Sequence, residues 1–288
     1  MELRQYSLNE IKEKLWNGEL PFSGITELGS SEFHFEAPAF HAGVSMHSGH
    51  RVRKEILEIL AVSEEDRYRE EDPFMDRFIS DFPIRICGRD SRFEYDLNRN
   101  PYRTLYDYDK PKWGLNVWRR EVTDEERAFS IKKHREFHEL LEMVCSYLLQ
   151  QHRYALLFDL HAYCYQRETR QAWHEDEGPE INIGTGAVNR EIFEPAITCF
   201  KSNLRRTKIS DRPLRISENK IFFGGYLSRH LSRIYHERLL VLSLEYKKIF
   251  MDEWTGTLYQ DVLDKLTRDF NRAVDRAVET CLSSLWDI

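Results

Sequence analysis

The sequence is poor in the residues that build disulfide frameworks and zinc-thiolate sites. Its five cysteines, in a chain of 288 residues, are an odd number, scattered and without a CxxC pair. Neither a disulfide-stabilised secreted fold nor a cysteine-held zinc site is therefore indicated. A reduced, cytoplasmic setting fits this cysteine usage.

Long apolar runs and a basic stripe are also missing. No stretch of about 18 uncharged apolar residues is present, and the opening "MELRQYSLNEIKEKLW" alternates charged with apolar residues, so we expect neither a membrane span nor a secretory leader. The net charge is -7, with 42 Lys and Arg interspersed among 49 Asp and Glu. Nucleic acid is therefore not an expected partner.

Apolar material is ample, with 41% hydrophobic and 13% aromatic residues, and residues 1–288 are expected to form a single domain. Strand-type and helix-type patterns alternate, which predicts a three-layer αβα fold with a central mixed, mainly parallel sheet. Predicted helices cover residues 8–16, 52–60, 72–79, 123–152, 189–204, 227–237 and 258–285. Predicted strands cover 41–49, 82–88, 92–97, 155–160, 180–185 and 239–246, and residues 18–40 are predicted as a turn-rich approach.

Polar side chains follow or end several of the predicted strands, where ligands of parallel sheets gather. They are His47 and His50, Asn98 and Arg99, Asp159 and His161, and Glu245. Burying an unpaired charge or a bare imidazole is costly, so convergence on one site is the more economical interpretation.

Two histidines and a carboxylate with an open fourth position would hold zinc, and we expect His47 and His161 as the histidines. A lone histidine is usually a hydrogen-bonded structural residue, but the strand-end position favours a ligand role for this pair. Asp72 is the first choice for the carboxylate, with Glu70 and Glu71 as alternatives in the acidic run "YREEDPFMD". Because Asp159 alternates with His161 along a strand, the two share a face, and Asp159 could orient that histidine.

The segment "HREFH", residues 134–138, is similar to the helical zinc motif HExxH. Its glutamate stands in the third place and not the second, so the match fails. His138 could still face the site from a long helix, as an outer residue.

Seven segments in order resemble the N-formylglutamate amidohydrolase family, which is related in fold to zinc carboxypeptidases. They are "MHSG", "EEDPFMD", "SRFEYDLNRNP", "LLFDLHAY", "INIGTG", "FGGYLSRH" and "LSLEYKKIFMDE", from about residue 40 to 255. Residues 1–30 and 258–288 would then be helical additions.

The resemblance implies a zinc-dependent amidase. By position, His47 and His161 resemble the histidine ligands, and Glu70 or Asp72 the carboxylate ligand. Glu245 is similar in position to the general base that activates the attacking water and then protonates the leaving amine. The substrate carboxylate would be bound by Arg99 beside Asn98, and Arg92, Gly225 and Arg229 could assist.

The chain departs from the family's usual pattern at "HSGHRVRKE", which lacks a proline-containing turn, and at Ala162, where serine is frequent. His50 and the aromatic loop around Trp113 could reshape the pocket. We therefore expect the substrate to be a small N-acyl amino acid with a free carboxylate, of which N-formylglutamate is one example. A carboxypeptidase or a peptide or cell-wall amidase remains an alternative. A binding protein on a decayed hydrolase scaffold is an alternative of another class.

Overall fold

The computed structural model describes residues 3–166 and 178–284. The helices are α1 Leu8–Trp16, α2 Lys54–Leu57, α3 Glu64–Glu70, α4 Met75–Phe78, α5 Asp124–Gln151, α6 Arg190–Leu204, α7 Tyr226–Tyr235 and α8 Gln260–Ser284. The strands are β1 Gln5–Tyr6, β2 Phe22–Thr26, β3 Ser31–Phe35, β4 His41–Ser45, β5 Ile84–Gly88, β6 Ala155–Tyr163, β7 Ile181–Gly184, β8 Lys208–Ile209, β9 Arg212–Pro213, β10 Ile216–Glu218 and β11 Leu239–Lys247. None of the described helices is both long and apolar enough to cross a membrane.

Nine of the strands form one sheet in the order β1-β2-β3-β5-β4-β6-β11-β7-β10. Its centre, β5-β4-β6-β11, is parallel, while β3 and β7 join it in antiparallel orientation. Helices cover both faces, so the predicted fold class is confirmed. The carboxyl ends of the four central strands therefore lie along one edge of the sheet.

The two faces of β6 and β11 pack into separate apolar clusters. Leu156, Phe158 and Leu160 face α4, α6 and α8, whereas Ala155 and Leu157 face α1, α5 and α7. Since side chains alternate along a strand, Asp159 and His161 belong to the face covered by α5 and α7. Burial on both faces explains why β6 has no polar alternation until its carboxyl end.

The long helix α5 begins as its sequence predicts. Thr123 accepts a hydrogen bond from the Glu126 amide, and the Glu126 carboxylate accepts one from the Thr123 amide, which completes a capping box. The helix predicted over 258–285 is confirmed up to Ser284, and its last predicted residue lies outside the described residues.

Other predictions were wrong in extent or type. The segment 92–97 is a series of turns and not a strand. The Arg92 side chain donates to Asp96 within the segment, and the Asp96 amide donates to the Thr104 carbonyl oxygen and not to a neighbouring strand. The predicted helices 52–60 and 72–79 are single turns, and α3 was missed. The turn-rich stretch 18–40 contains β2 and β3, so the N-terminal addition is part of the sheet as well as helical.

Candidate metal centre

Three predicted metal ligands converge on one point. His47, Asp72 and His161 each offer a ligand atom within 4.8 Å of the others, and they are the one such group found among the described residues. The Nδ1 atoms of His47 and His161 lie 3.4 and 3.1 Å from the same carboxylate oxygen, Asp72 Oδ2. All three side chains are buried. The structure therefore brings together the three residues that the sequence offers as metal ligands.

Strand positions bring the histidines together. β4 and β6 are parallel neighbours with Val44 opposite Asp159, so His47, just beyond the end of β4, comes level with the end of β6 that carries His161. Their ring centroids are 5.2 Å apart. The arrangement follows from the meeting of parallel strand ends at one sheet edge.

The loop after α3 delivers Asp72. The Asp72 amide donates to the His47 carbonyl oxygen at 3.0 Å, and the fully buried Lys248 donates to the Glu71 carbonyl oxygen at 2.6 Å. Lys248 also donates to the carbonyl of Arg69. These contacts fix the backbone on both sides of Glu70, and the Asp72 carboxylate is aimed at the histidines.

Each histidine also faces a carboxylate with its other ring nitrogen. His47 Nε2 donates to Asp96 Oδ1 at 2.9 Å, and His161 Nε2 lies 3.0 Å from Asp159 Oδ1. Ser243 on β11 donates to the second oxygen of Asp159 at 3.1 Å. A carboxylate on the far nitrogen is the arrangement that metal-bound histidines adopt, and Nδ1 would then be the atom that binds the ion.

The donor set fits a divalent cation. His47 Nδ1 and Asp72 Oδ1 are buried atoms with no hydrogen-bond partner in the described part of the chain. Buried polar atoms are rarely left unpaired, and here both belong to the converging trio. Nitrogen donors from histidine with one carboxylate suit Zn²⁺, and several other divalent ions accept the same set.

Electrostatics around the trio favour an ionised Asp72 and a protonated His161. Burial would raise the pKa of Asp72, but the hydrogen bond from His161, with the Arg92 charge nearby, holds that pKa below its usual value. Burial would lower the pKa of His161, yet the nearby Asp159 and Glu245 raise it well above its usual range. The positive charge of the protonated His161 compensates the same carboxylates that a bound metal ion would compensate.

Glu245 stands beside the trio. It lies in β11 directly opposite His161 in the parallel pairing, and opposite Asn182 of β7 on its other side. Burial raises the pKa of Glu245 to about 8, His161 opposes that rise and Asp72 adds to it. Glu245 forms no ion pair with Arg99 or Arg229 among the described contacts.

Arg92 and two aromatic rings form the adjoining wall. Arg92 donates to Asp96 Oδ2 at 3.0 Å and lies 3.8 Å from Asp72 Oδ1. Tyr106 donates to the same Asp96 oxygen at 2.7 Å, and the Trp113 ring centroid is 4.8 Å from the Arg92 guanidinium carbon. The aromatic loop around Trp113, expected to shape the pocket, thus borders the metal centre.

Asn98 connects the trio to the start of α7. Its Nδ2 lies 3.5 Å from His161 Nε2, and its Oδ1 accepts the Leu227 amide at 3.2 Å. A Cβ at Gly225 would come 2.0 Å from Asn98 Oδ1, so only glycine permits this approach. Asn98 and Gly225, both predicted to bind substrate, are therefore in contact.

Arg99 lies farther out, over the Tyr106 ring at 5.1 Å from its centroid, and donates to the Leu105 carbonyl oxygen. Arg99 forms no ion pair with Asp96 or Asp109 among the described contacts. Lys112 lies over the same ring, with its Nζ 5.8 Å from the Tyr106 ring centroid. Arg99 and Lys112 are two half-buried cations that share one ring.

The remaining predicted residues lie away from the trio. Glu70 pairs with Arg69 at 2.8 Å, and Glu71 contacts His50 and Ser91. Neither alternative carboxylate therefore contacts the two candidate ligands His47 and His161. These contacts also place His50 on Glu71 and not on the metal ligands.

Two further predicted residues hold backbone near the site. Arg229 donates to the Gly224 carbonyl oxygen at 2.7 Å, and His138 contacts the Leu97 carbonyl oxygen at 2.9 Å.

Sequence reasoning missed Asp96, Tyr106, Lys112 and Asn182 as parts of the site. Asn182 Oδ1 accepts the amides of Lys220 and Ile221, which shapes the loop that leads to Gly225. The one available signal was an isolated asparagine in the apolar strand "INIG", since a buried amide requires partners.

The profile of the N-formylglutamate amidohydrolase family matches residues 44–251, which contain all members of this centre. None of the curated proteins compared with the chain matches it. An N-formylglutamate amidohydrolase structure from Ralstonia eutropha JMP134 superposes with a TM-score of 0.65 at 17% identity, covering 86% of this chain and 98% of that one.

A second similar structure is the gene product Atu2144 from Agrobacterium tumefaciens, with a TM-score of 0.61 at 15% identity, covering 90% and 97% of the two chains. A metallo-carboxypeptidase from Burkholderia cenocepacia reaches a TM-score of only 0.39 at 15% identity, covering 96% and 70%. At these identities, the first two likenesses concern the fold.

Proposed function

The chain belongs to the N-formylglutamate amidohydrolase family, and from that membership we propose that it is a metal-dependent amidohydrolase acting on a small N-acyl amino acid. The family and the fold make it a hydrolase of this type. The observation that carries the metal dependence is the convergence of His47 Nδ1 and His161 Nδ1 on Asp72, with buried atoms left unpaired.

His47, His161 and Asp72 would hold the ion, with Zn²⁺ as the first candidate. When bound, such an ion lowers the pKa of a water ligand to about 7 and polarises a carbonyl group. Asp96 and Asp159 orient the two imidazoles through their far nitrogens. The carboxylate of Glu245, beside His161, takes a proton from the attacking water and returns it to the leaving amine.

Cations on the loop side would bind the free carboxylate of the substrate. Arg99 offers a planar guanidinium for bidentate contact, and Asn98 adds an amide donor. Lys112 over the same Tyr106 ring supports a substrate with a second anionic group. An N-acyl dicarboxylic amino acid would use both cations.

Metal content and amine release, measured on the same purified proteins, test the proposal. Wild type should carry near-stoichiometric metal by mass spectrometry and release amine from some member of a panel of N-formyl and N-acetyl amino acids. His161→Ala should lose both metal and turnover, whereas Glu245→Gln should keep metal and lose turnover. His236→Ala, an exposed histidine, is the matched control and should match wild type.

Two results would contradict the proposal. Undiminished turnover by Glu245→Gln would remove the assigned general base. Wild type that binds no metal after reconstitution would favour the binding-protein alternative. Release of amine from short peptides, with none from acyl amino acids, would instead identify the peptidase alternative.

A further inference from the structure

Two histidines of α5 contact the backbone on either side of Asn98. His134 Nε2 donates to the Arg99 carbonyl oxygen and His138 Nε2 donates to the Leu97 carbonyl oxygen, both at 2.9 Å. The two histidines are four residues apart, so they share one helix face. Each therefore reaches one of two carbonyls that lie two residues apart in the turn.

The histidines are held as neutral donors. Both are buried, and their ring centroids are 4.4 Å apart. A carbonyl oxygen only accepts, so Nε2 carries the proton, and both Nδ1 atoms are buried without a hydrogen-bond partner in the described part of the chain. Burial lowers the pKa of His134 to about 4 and that of His138 to about 3. The pair therefore donates unchanged through the neutral pH range.

The segment that they hold is connected to the candidate site at several atoms. The Asn98 amide donates to Asp96 Oδ1 at 2.9 Å, and the Asn98 carbonyl oxygen accepts the Tyr226 amide at 3.3 Å. Asn98 Nδ2 approaches His161, and the Asn98 side-chain amide packs directly against the Gly225 backbone. A displacement of the Leu97–Arg99 backbone would thus move Asn98 and Arg99 together.

We propose that His134 and His138 are positioning residues, which fix the backbone of residues 97–99 and thereby aim Asn98 and Arg99 at the substrate. The contribution of the pair to substrate binding rests on the proposed function, whereas its hold on the backbone does not. Neither histidine touches the metal trio in the described structure. Loss of the pair should therefore weaken substrate binding more than metal binding or turnover at saturation.

The test compares apolar with donor-retaining replacements. His134→Leu and His138→Leu remove the donor, while His134→Gln and His138→Gln keep an Nε2–H donor at similar reach. Hydrogen exchange followed by mass spectrometry, on peptides covering residues 96–99 and 225–231, reads the backbone hold without any need for activity. Exchange in both peptides should accelerate in the Leu variants and stay near wild type in the Gln variants.

Kinetics give the second readout. KM for the best substrate should rise about tenfold or more in the Leu variants, with little change in kcat or metal content, and should recover in the Gln variants. His236→Leu is the control, since His236 is exposed and lies outside both peptides. It should change neither readout.

The outcomes separate this inference from the proposed function. Unchanged exchange in both Leu variants overturns the hold on the backbone, whether or not the wild type is active. Faster exchange with an unchanged KM in an active enzyme overturns the role in substrate binding. Equal loss in the Leu and Gln variants overturns the donor role and indicates packing alone. A wild type without amidase activity contradicts the proposed function. The exchange result then still decides whether His134 and His138 fix the backbone of residues 97–99.

Discussion

Asp96 Oδ1 accepts a hydrogen bond from His47 Nε2 at 2.9 Å, on the side of the imidazole ring that faces away from Asp72. The other Asp96 oxygen accepts from Arg92 at 3.0 Å and from Tyr106 at 2.7 Å. These contacts and the nearby charge of Arg92 keep the pKa of Asp96 well below its usual value, although burial opposes them. One carboxylate thus joins a candidate metal ligand to the aromatic loop.

Asp96→Asn should weaken metal binding without abolishing it. An asparagine keeps the shape but loses the charge that fixes the His47 tautomer and compensates Arg92, and such changes typically cost about 10–100-fold in metal affinity. Competition with a chromophoric chelator would measure the change. Asp107→Asn, on the same loop and exposed, is the matched control. Equal affinity in the two variants would refute the orienting role.

The two histidines of the trio could be singled out from the sequence because they stand at the ends of strands. Those strands can be recognised from the apolar pattern of neighbouring residues alone. Asp96 escaped prediction since Phe93, Tyr95 and Leu97 alternate with polar residues as in a half-buried strand. In the structure the same residues form turns, and Asp96 is buried by His47 and Tyr106, which no local pattern reveals. Conversely, "SEFHF" does alternate, and its burial pattern shows that this signal for β3 was available.

Substrate selectivity should depend on Lys112. Its Nζ lies 4.6 Å from the Trp113 ring centroid and forms no ion pair with a carboxylate in the described part of the chain. Burial lowers the pKa of Lys112, with Arg92 adding to that effect, so an anionic ligand would relieve an unfavourable arrangement. We expect Lys112→Met to raise KM for N-formylglutamate by about tenfold, corresponding to one lost charged contact.

The comparison that isolates this effect uses N-formylleucine, which has no second carboxylate. Its KM should change little in Lys112→Met, and Lys110→Met, two residues away and exposed, should affect neither substrate. An equal rise for both substrates would show that Lys112 acts on the loop as a whole and not on the second carboxylate.

Lys248→Met should destabilise the protein and loosen Asp72. The Lys248 ammonium is fully buried and donates to the carbonyls of Arg69 and Glu71, which would be left without that partner. Losing buried charged hydrogen bonds should cost roughly 2–4 kcal/mol in the free energy of unfolding. Chemical denaturation would measure it, with the exposed Lys54→Met as control. A loss under about 0.5 kcal/mol, the usual range for surface changes, would contradict the anchoring role.

The buried histidines of α5 should make stability depend on pH. Their folded pKa values of about 4 and about 3 lie below the ordinary value of 6.5, so the unfolded chain binds more protons in acid. Their contribution is therefore fully present above pH 6.5 and is lost as pH falls towards 4, by about 1.4 kcal/mol per pH unit for each histidine. Carboxylates titrate in the same range, so the informative quantity is a difference between variants.

Wild type and the double variant His134→Gln/His138→Gln supply that difference. Since the glutamines keep both donors and do not titrate, the free energy of unfolding of wild type should fall relative to the variant between pH 7.5 and 5, by roughly 3–4 kcal/mol in total. Urea denaturation at each pH measures both proteins. His236→Gln, in an exposed histidine, should run parallel to wild type. Parallel curves for the double variant as well would mean that the two imidazoles take up protons in the fold, and hence that the neutral donors assigned to Leu97 and Arg99 are wrong.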